Sequence, residues 1–350
     1  MAGNRRPLVM RCGAFGDMVL LTPLIRELAA RFGSDIDIVS SGGWTRPLLE
    51  GQPGVGRLYL VKSRRRPYPI SPDQWRLVRA LRERGAGPTW FLDPGGIGRR
   101  LLTRGGIGEE WIVDVEAHPR LPGEHYLEWF WRVAAVLPKA LVKAPPAPAR
   151  HPVEGCVIEV GDPSRREAAA WLATLGIADR PLLAVQAGNK RTMRRGDRRR
   201  TTNTKYWPEE RWGAVIDAMA ARCPEHAILL LGVPSEHALN EDIRRHARAA
   251  RVLNVAADLP VPRLMALLER TAGMVSVDTG PAHAAAAVGV PLVVLFGAAD
   301  PALYRPRGAA GAATCIVRAD PPGPLENLSA AAVCEAFATL PLRAAPAHAA

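Results

Sequence analysis

The chain predicts an α/β protein made of two doubly wound, Rossmann-like halves, and three observations lead there. Val275-Ser276-Val277-Asp278-Thr279-Gly280-Pro281-Ala282-His283 reads as a buried strand, a tight turn and a helix start, and a second apolar strand follows over 291–296. Apolar runs alternate with amphipathic stretches through both halves, the pattern of parallel sheet covered by helices. Five prolines between positions 138 and 152 separate the halves. The expected domains are therefore 1–150 and 151–340, with the last helix free to pack back on the first domain.

In the first half the strands fall at 8–11, 36–40, 58–61 and 89–93, and the helices at 18–32, 74–84 and 124–137. GAFGD, residues 13–17, reads as a turn between the first strand and helix. In the second half the strands fall at 182–186, 227–231, 274–277 and 291–296. Helices are expected at 165–175, 208–221, 235–247, 261–269, 281–288 and 329–339. Two doubly wound halves place a ligand in the cleft between them, beyond the carboxyl ends of the strands.

Composition bounds the function class. The 350 residues are 48% hydrophobic and 23% charged, ordinary for a soluble globular chain. No apolar run approaches the roughly 20 residues of a membrane-spanning helix. Arg11 and Asp17 interrupt the N-terminal apolar stretch, so no secretory leader is expected, and the expected location is cytoplasmic. The five cysteines are scattered, with no CxxC or Cys/His ligand spacing, so neither a disulfide framework nor a zinc site is expected.

The net charge of +12 is concentrated. Lys62, Arg64, Arg65 and Arg66 carry +4, while the stretch from Lys190 to Lys205 carries eight basic residues against Asp197. Such charge attracts phosphates, anionic headgroups or nucleic acid, and a pair of solvated loops is the plain alternative.

Several residues suit phosphate and sugar chemistry. Gly13 and Gly16 follow the first strand, where glycine lets the backbone turn and approach a ligand. Asp17 opens the next helix, either as a helix cap or as a general base. Thr201, Thr202 and Lys205 precede a helix and can grip a diphosphate. Glu236 follows a strand, where a carboxylate can accept both ribose hydroxyls or serve as an ordinary first-turn acid. Thr279, Gly280 and Pro281 open a helix whose N–H groups and dipole suit a phosphate. His283, a turn later, either joins that site or only ties the turn down. The GxGxxG, GKS/GKT, GxSxG and HExxH patterns are missing.

Three segments in order, LVMRCGAFGDMVLLTPLIRELAARFG, KYWPEERW and SVDTGPAHAAAAVGVPLVVLFGAADP, resemble the family-nine glycosyltransferases, the ADP-heptose:lipopolysaccharide heptosyltransferases. The likeness runs over roughly 8–301. It implies a GT-B fold and inverting transfer of heptose from ADP-heptose, with no metal and no cofactor. Asp17 matches the family's proposed base and Lys205 the lysine that contacts donor phosphate and sugar. Glu236 matches the ribose-binding acid, and Asp278, Thr279, Gly280 and His283 match the donor-site signature. Thr201 and Thr202 resemble a hydroxyl pair near the phosphates, one residue closer to Lys205 than the pattern has. Lys62, Arg64, Arg65 and Arg66 lie where the family meets its acceptor.

The implied partners are ADP-heptose, a lipid-linked anionic oligosaccharide acceptor and the inner-leaflet membrane surface, with no nucleic acid. Two alternatives stay open. One is a transferase of the same fold with another nucleotide-sugar donor or a protein acceptor. The other is a non-catalytic anion- or nucleic-acid-binding module using the two basic loops, although only Tyr206 and Trp207 there could stack on bases.

Overall fold

The computed structural model describes residues 6–62, 66–143, 155–189 and 203–344. The chain divides into two compact units, Met1–Cys156 and Val157–Ala350. The first runs β1 (Leu8–Met10), α1 (Phe15–Val19), α2 (Thr22–Phe32), β2 (Ile36–Ser40), α3 (Thr45–Leu49) and β3 (Val55–Leu60). It continues with α4 (Pro72–Arg84), β4 (Thr89–Phe91), α5 (Gly96–Arg104), β5 (Ile112–Asp114) and α6 (Tyr126–Ala135). Its strands pair in parallel in the order β3-β2-β1-β4-β5.

The second unit holds α7 (Asp162–Thr174), β6 (Leu182–Gln186), α8 (Glu209–Arg222), β7 (Ala227–Leu230), α9 (His237–His246) and β8 (Val252–Asn254). After these come α10 (Val261–Arg270), β9 (Thr271–Val277), α11 (Gly280–Ala287), β10 (Leu292–Phe296), α12 (Pro301–Tyr304), β11 (Thr314–Arg318) and α13 (Ala330–Thr339). Its all-parallel order is β11-β10-β9-β6-β7-β8. In both sheets the first strand of the unit sits mid-sheet, and the order reverses beside it. That reversal opens a crevice at the carboxyl ends of β1 and β4, and another at the ends of β6 and β9.

Central strands covered on both faces become near-continuous apolar runs, interrupted here by Asp37 and Ser40 in β2, Thr89 in β4, Gln186 in β6 and Thr271 and Ser276 in β9. Every residue of β1, β2, β4, β6, β7, β9 and β10 is buried. In the first unit Leu8, Met10, Val39, Leu77, Leu81 and Phe91 share one core. In the second, Leu183, Val185, Trp212, Ile216, Val275, Val293 and Phe337 share another. Fully burying such a side chain is worth about 1.5–3 kcal/mol. The last helix, α13, packs on α8 and on strands β10 and β11 of its own unit.

One expected helix is two. Residues 18–32 divide at Leu20–Leu21, because Pro23 has no N–H for the preceding turn. The Thr22 hydroxyl donates 2.9 Å to the Val19 carbonyl instead. GAFGD is likewise no simple turn, since α1 begins at Phe15 and contains Gly16.

Candidate functional site

In the first unit the crevice beside β1 is built around Arg11. Its Nη1 donates 2.8 Å to the Leu92 carbonyl and lies 3.9 Å from Asp93 Oδ1, and its Nη2 donates 3.0 Å to Asp17 Oδ1. Asp93 Oδ1 also accepts the Cys12 N–H at 2.9 Å, which fixes the chain leaving β1 against the chain leaving β4. Asp93 is buried, whereas the Asp17 side chain is about one-third exposed. One guanidinium therefore serves two carboxylates, and Asp17 is the one that solvent reaches.

Asp17 occupies the third position of α1, and its Oδ2 accepts the Ala14 N–H at 2.7 Å across the helix start. Gly13 makes room for it, because a Cβ there would fall 2.7 Å from Asp17 Oδ2. The two glycines differ from the sequence reading. Gly13 serves close approach by Asp17, and neither Gly13 nor Gly16 has a positive φ.

In the second unit Lys205 reaches the end of β9. Its ammonium donates 2.8 Å to the Asp278 carbonyl and pairs with the Asp278 carboxylate. The anchoring is local. Trp207 is buried edge-on to Trp212 with ring centroids 4.9 Å apart, and its indole N–H donates 2.9 Å to the Leu328 carbonyl. The Thr204 carbonyl accepts the Leu325 N–H at 3.0 Å, and Asn203 Oδ1 accepts the Lys205 N–H at 3.1 Å. Gly297 permits this approach, since a Cβ there would lie 2.5 Å from the Gly323 carbonyl and 3.2 Å from that of Thr204. The helix after Lys205 turns out to be poorly suited to anions. Its first turn carries Glu209 and Glu210, and the Tyr206 hydroxyl donates to Glu209.

The start of α11 lacks a side-chain cap. Thr279 stands at the cap position, yet its side chain makes no cap bond. Its hydroxyl turns back toward the Val277 carbonyl at 3.2 Å and lies 3.2 Å from Ser276 Oγ. The Gly280 and Ala282 N–H groups, in the first turn, have no intrahelical acceptor by helix geometry, and Pro281 has no N–H at all. His283 is buried on the same helix, with Nε2 4.0 Å from Asp278 Oδ1, beyond hydrogen-bond reach.

Glu236 lies at the end of β7, in the one-turn helix Pro234–Glu236 that leads into α9, and is buried. Burial pushes its carboxyl above the usual carboxylate range, against the Val233 N–H at 3.0 Å and the Gln186 amide at 3.4 Å. Two glycines frame it. A Cβ on Gly188 would lie 2.5 Å from Glu236 Oε1, and one on Gly232 would lie 2.8 Å from Oε2. Lys205, Glu236, Asp278, Thr279, Gly280 and His283 thus all stand at or just past the carboxyl ends of β6, β7 and β9.

Thr201, Thr202, Arg64, Arg65 and the arginine-rich stretch 190–200 lie outside the described residues. Lys62 and Arg66 are exposed on the connection after β3, an edge strand two strands from β1. Three site residues escaped the sequence reading. Arg11 was noted only as a break in an apolar run, and Asp93 only as a strand end. Gln186 was also a strand end, yet it is 2% exposed, and its Nε2 donates 2.8 Å to the Gly188 carbonyl as well as toward Glu236. The available signal was a polar side chain closing an apolar parallel strand beside the point where strand order reverses. Among the described residues, no group of three His, Cys, Asp or Glu side chains is placed to hold a metal ion. Nor is any described helix long and apolar enough to cross a membrane.

Residues 173–323 match glycosyltransferase family 9 (heptosyltransferase). Lipopolysaccharide heptosyltransferase 3 of Escherichia coli is 36% identical over 104 residues, 29% of this chain and 30% of that protein. Lipopolysaccharide heptosyltransferase 2 of Salmonella typhimurium is 24% identical over 311 residues, 82% of this chain and 81% of that one. The structure of E. coli heptosyltransferase WaaC with ADP superposes with a TM-score of 0.70 at 20% identity, covering 95% of this chain and 99% of that one.

The chain is heptosyltransferase-like, with its match to glycosyltransferase family 9 running over residues 173–323. Its fold is that of the GT-B enzymes, two parallel-sheet α/β domains in one polypeptide. The family match contains Lys205, Glu236, Asp278 and the α11 start, while Arg11, Asp17 and Asp93 lie before it. The E. coli heptosyltransferase 3 alignment spans under a third of that protein's length.

Proposed function

We propose that the protein is an inverting, metal-independent glycosyltransferase. It moves heptose from ADP-heptose to a hydroxyl of a lipopolysaccharide core acceptor carrying Kdo or heptose phosphate. The observation that carries this reading is the gathering of Lys205, Asp278, Glu236 and the uncapped start of α11 at adjacent strand ends of the second unit.

Each part has a chemical task in this reading. Glu236, ionised, accepts the two ribose hydroxyls, and Gln186 holds its carboxylate in place. The Gly280 and Ala282 N–H groups and the positive end of α11 receive the diphosphate. Lys205 supplies fixed positive charge to the leaving oxygen, and Asp278 and His283 line the sugar side. In the reaction the acceptor oxygen bonds to the anomeric carbon from the face opposite the diphosphate. The bond from that carbon to the diphosphate oxygen breaks, and ADP leaves with the electron pair. The acceptor proton passes to Asp17, which Arg11 and the Ala14 N–H hold in place. Aimed N–H donors and a lysine stabilise charge as it develops on the leaving oxygen.

Thr201 and Thr202 belong to the same donor assignment, and Lys62, Arg64, Arg65 and Arg66 to the acceptor side. A lipid-linked acceptor also implies work at the cytoplasmic face of the inner membrane. Mass spectrometry of products from ADP-heptose and a panel of truncated core acceptors tests the reading. A heptose-sized mass gain on one acceptor supports it. Product only from another nucleotide sugar, or only on a protein, selects the alternative transferase and overturns the donor or acceptor assignment.

A further inference from the structure

We propose that Asp93 is a positioning residue for the base: acting through Arg11, it lets Asp17 take up a proton without leaving a buried cation unpaired. This role rests on the reading of Asp17 as the proton acceptor, and Asp93 itself touches no substrate in it.

Strands β1 and β4 run parallel with Met10 opposite Phe91, and the Leu92 N–H donates 2.9 Å to the Met10 carbonyl. The two chains therefore leave the sheet side by side, and register brings Arg11 to Asp93 although they are far apart in sequence. Arg11 is 9% and Asp93 2% exposed. Among the described residues, Asp17 and Asp93 are the carboxylates that Arg11 meets, at 3.0 and 3.9 Å. Its other contacts among these residues are uncharged. Nη1 donates to the Leu92 carbonyl, the guanidinium lies 5.9 Å from the centre of the Phe130 ring, and Nε is buried with no acceptor.

A buried charge is tolerated while it is paired and is strongly destabilising once its partner is removed. If Arg11 had Asp17 alone, the acceptor's proton would neutralise that carboxylate and strand the guanidinium, which would oppose the transfer. With Asp93 beside it, Arg11 keeps a counter-charge before and after the step. The three side chains together carry one excess negative charge before the proton arrives and none afterwards. The 3.9 Å between Arg11 Nη1 and Asp93 is beyond hydrogen-bond reach, so the guanidinium has room to close on Asp93 as Asp17 loses its charge.

A merely structural Asp93 would act through Oδ1, which accepts the Cys12 N–H at 2.9 Å and ties the chain leaving β1 to the chain leaving β4. Asparagine keeps that oxygen and removes the charge, so Asp93→Asn separates the two roles. Asp17→Asn stands in for Asp17 with its proton aboard.

The test is a double-mutant cycle on the full chain with Asp17→Asn, Asp93→Asn and both together. In thermal unfolding without donor or acceptor, each single variant should melt within a few degrees of wild type. The double variant should lose far more than the sum, because only there is Arg11 left without either carboxylate. With ADP-heptose and acceptor, Asp93→Asn should lower kcat about 10–100-fold, with donor KM and ADP affinity unchanged. Additive losses in melting temperature, or wild-type kcat in Asp93→Asn, would overturn the proposal. Should Asp93→Asn alone fail to fold, Arg11→Gln added to it decides: a recovered fold supports the charge role, and no recovery overturns it. Additive melting with an inactive Asp17→Asn removes the role of Asp93 and leaves the base standing. A fully active Asp17→Asn removes the base, and the role of Asp93 in proton transfer with it.

Discussion

The two units share one strand order through their first five strands, the second adding β11 at an edge, and each places a short helix directly after a strand that borders its crevice. The two helix starts are finished differently. In the first unit the Asp17 carboxylate lies across the start of α1, bound to the Ala14 N–H and to Arg11. The positive end of that helix already holds an anion of its own. In the second unit Thr279 turns away from α11, and the helix start receives no side-chain cap. One fold element thus presents a fixed carboxylate and the other an open place for a phosphate. In the proposed reading a proton acceptor and an anion receptor arise from two βα turns of one kind through the choice of one side chain.

The sharpest way to break this comparison is at the carboxylate. Asp17→Asn keeps the size and one hydrogen-bonding oxygen but removes the proton acceptor. Turnover with ADP-heptose should fall about 10²–10⁴-fold, while ADP titrates with unchanged affinity. Unaltered turnover would end the assignment of the base.

Next in size is Lys205→Ala, which removes the cation that the proposed reading places nearest the leaving group. A loss of roughly 10²–10³-fold in kcat is expected, with partial recovery in Lys205→Arg. A rise in KM at constant kcat would show instead that the lysine only binds donor.

Smaller is the effect at Glu236. Burial raises its pKa, so it takes up a proton at higher pH than an ordinary glutamate. In the proposed reading donor binding needs the ionised form, so ADP affinity should hold above the raised pKa and fall as pH drops through it. Calorimetry across that range should show the step in wild type. Glu236→Gln should lose the step and bind ADP about tenfold more weakly, the equivalent of ~1.4 kcal/mol. For stability the sign is opposite. The folded chain gains from this group as pH falls from its raised pKa toward the unfolded value.

How much of this could be read from residues alone follows from element length. Strands β2 and β6 lie at the expected 36–40 and 182–186, because Ile36, Ile38 and Val39 in the one and the run LLAV in the other are apolar enough to mark buried strands. Helix α5 went unseen, since Pro94 and Gly95 precede it and Gly96 and Gly98 fall in its first turn, yet Leu101 and Leu102 bury it. Strands β5 and β8 have three residues each, and β11 is a half-buried edge, so none makes a periodic signal. At the site, residues in a contiguous motif could be named, such as Asp278 to His283. Partners brought in across the sheet could not. Asp93 lies 81 residues from Cys12 and Gln186 lies 50 from Glu236, and only the parallel pairing makes them neighbours.

The contrast between the two helix starts is tested most directly by titrating ADP into Thr279→Asp and Asp17→Asn side by side with wild type. Thr279→Asp gives α11 the kind of anion that α1 already has, and an aspartate cap is worth about 1 kcal/mol to a helix. The account predicts that Thr279→Asp loses at least about tenfold in ADP affinity with no loss of thermal stability, while Asp17→Asn binds as wild type does. Full-strength ADP binding by Thr279→Asp, or ADP binding that depends on Asp17, would contradict it.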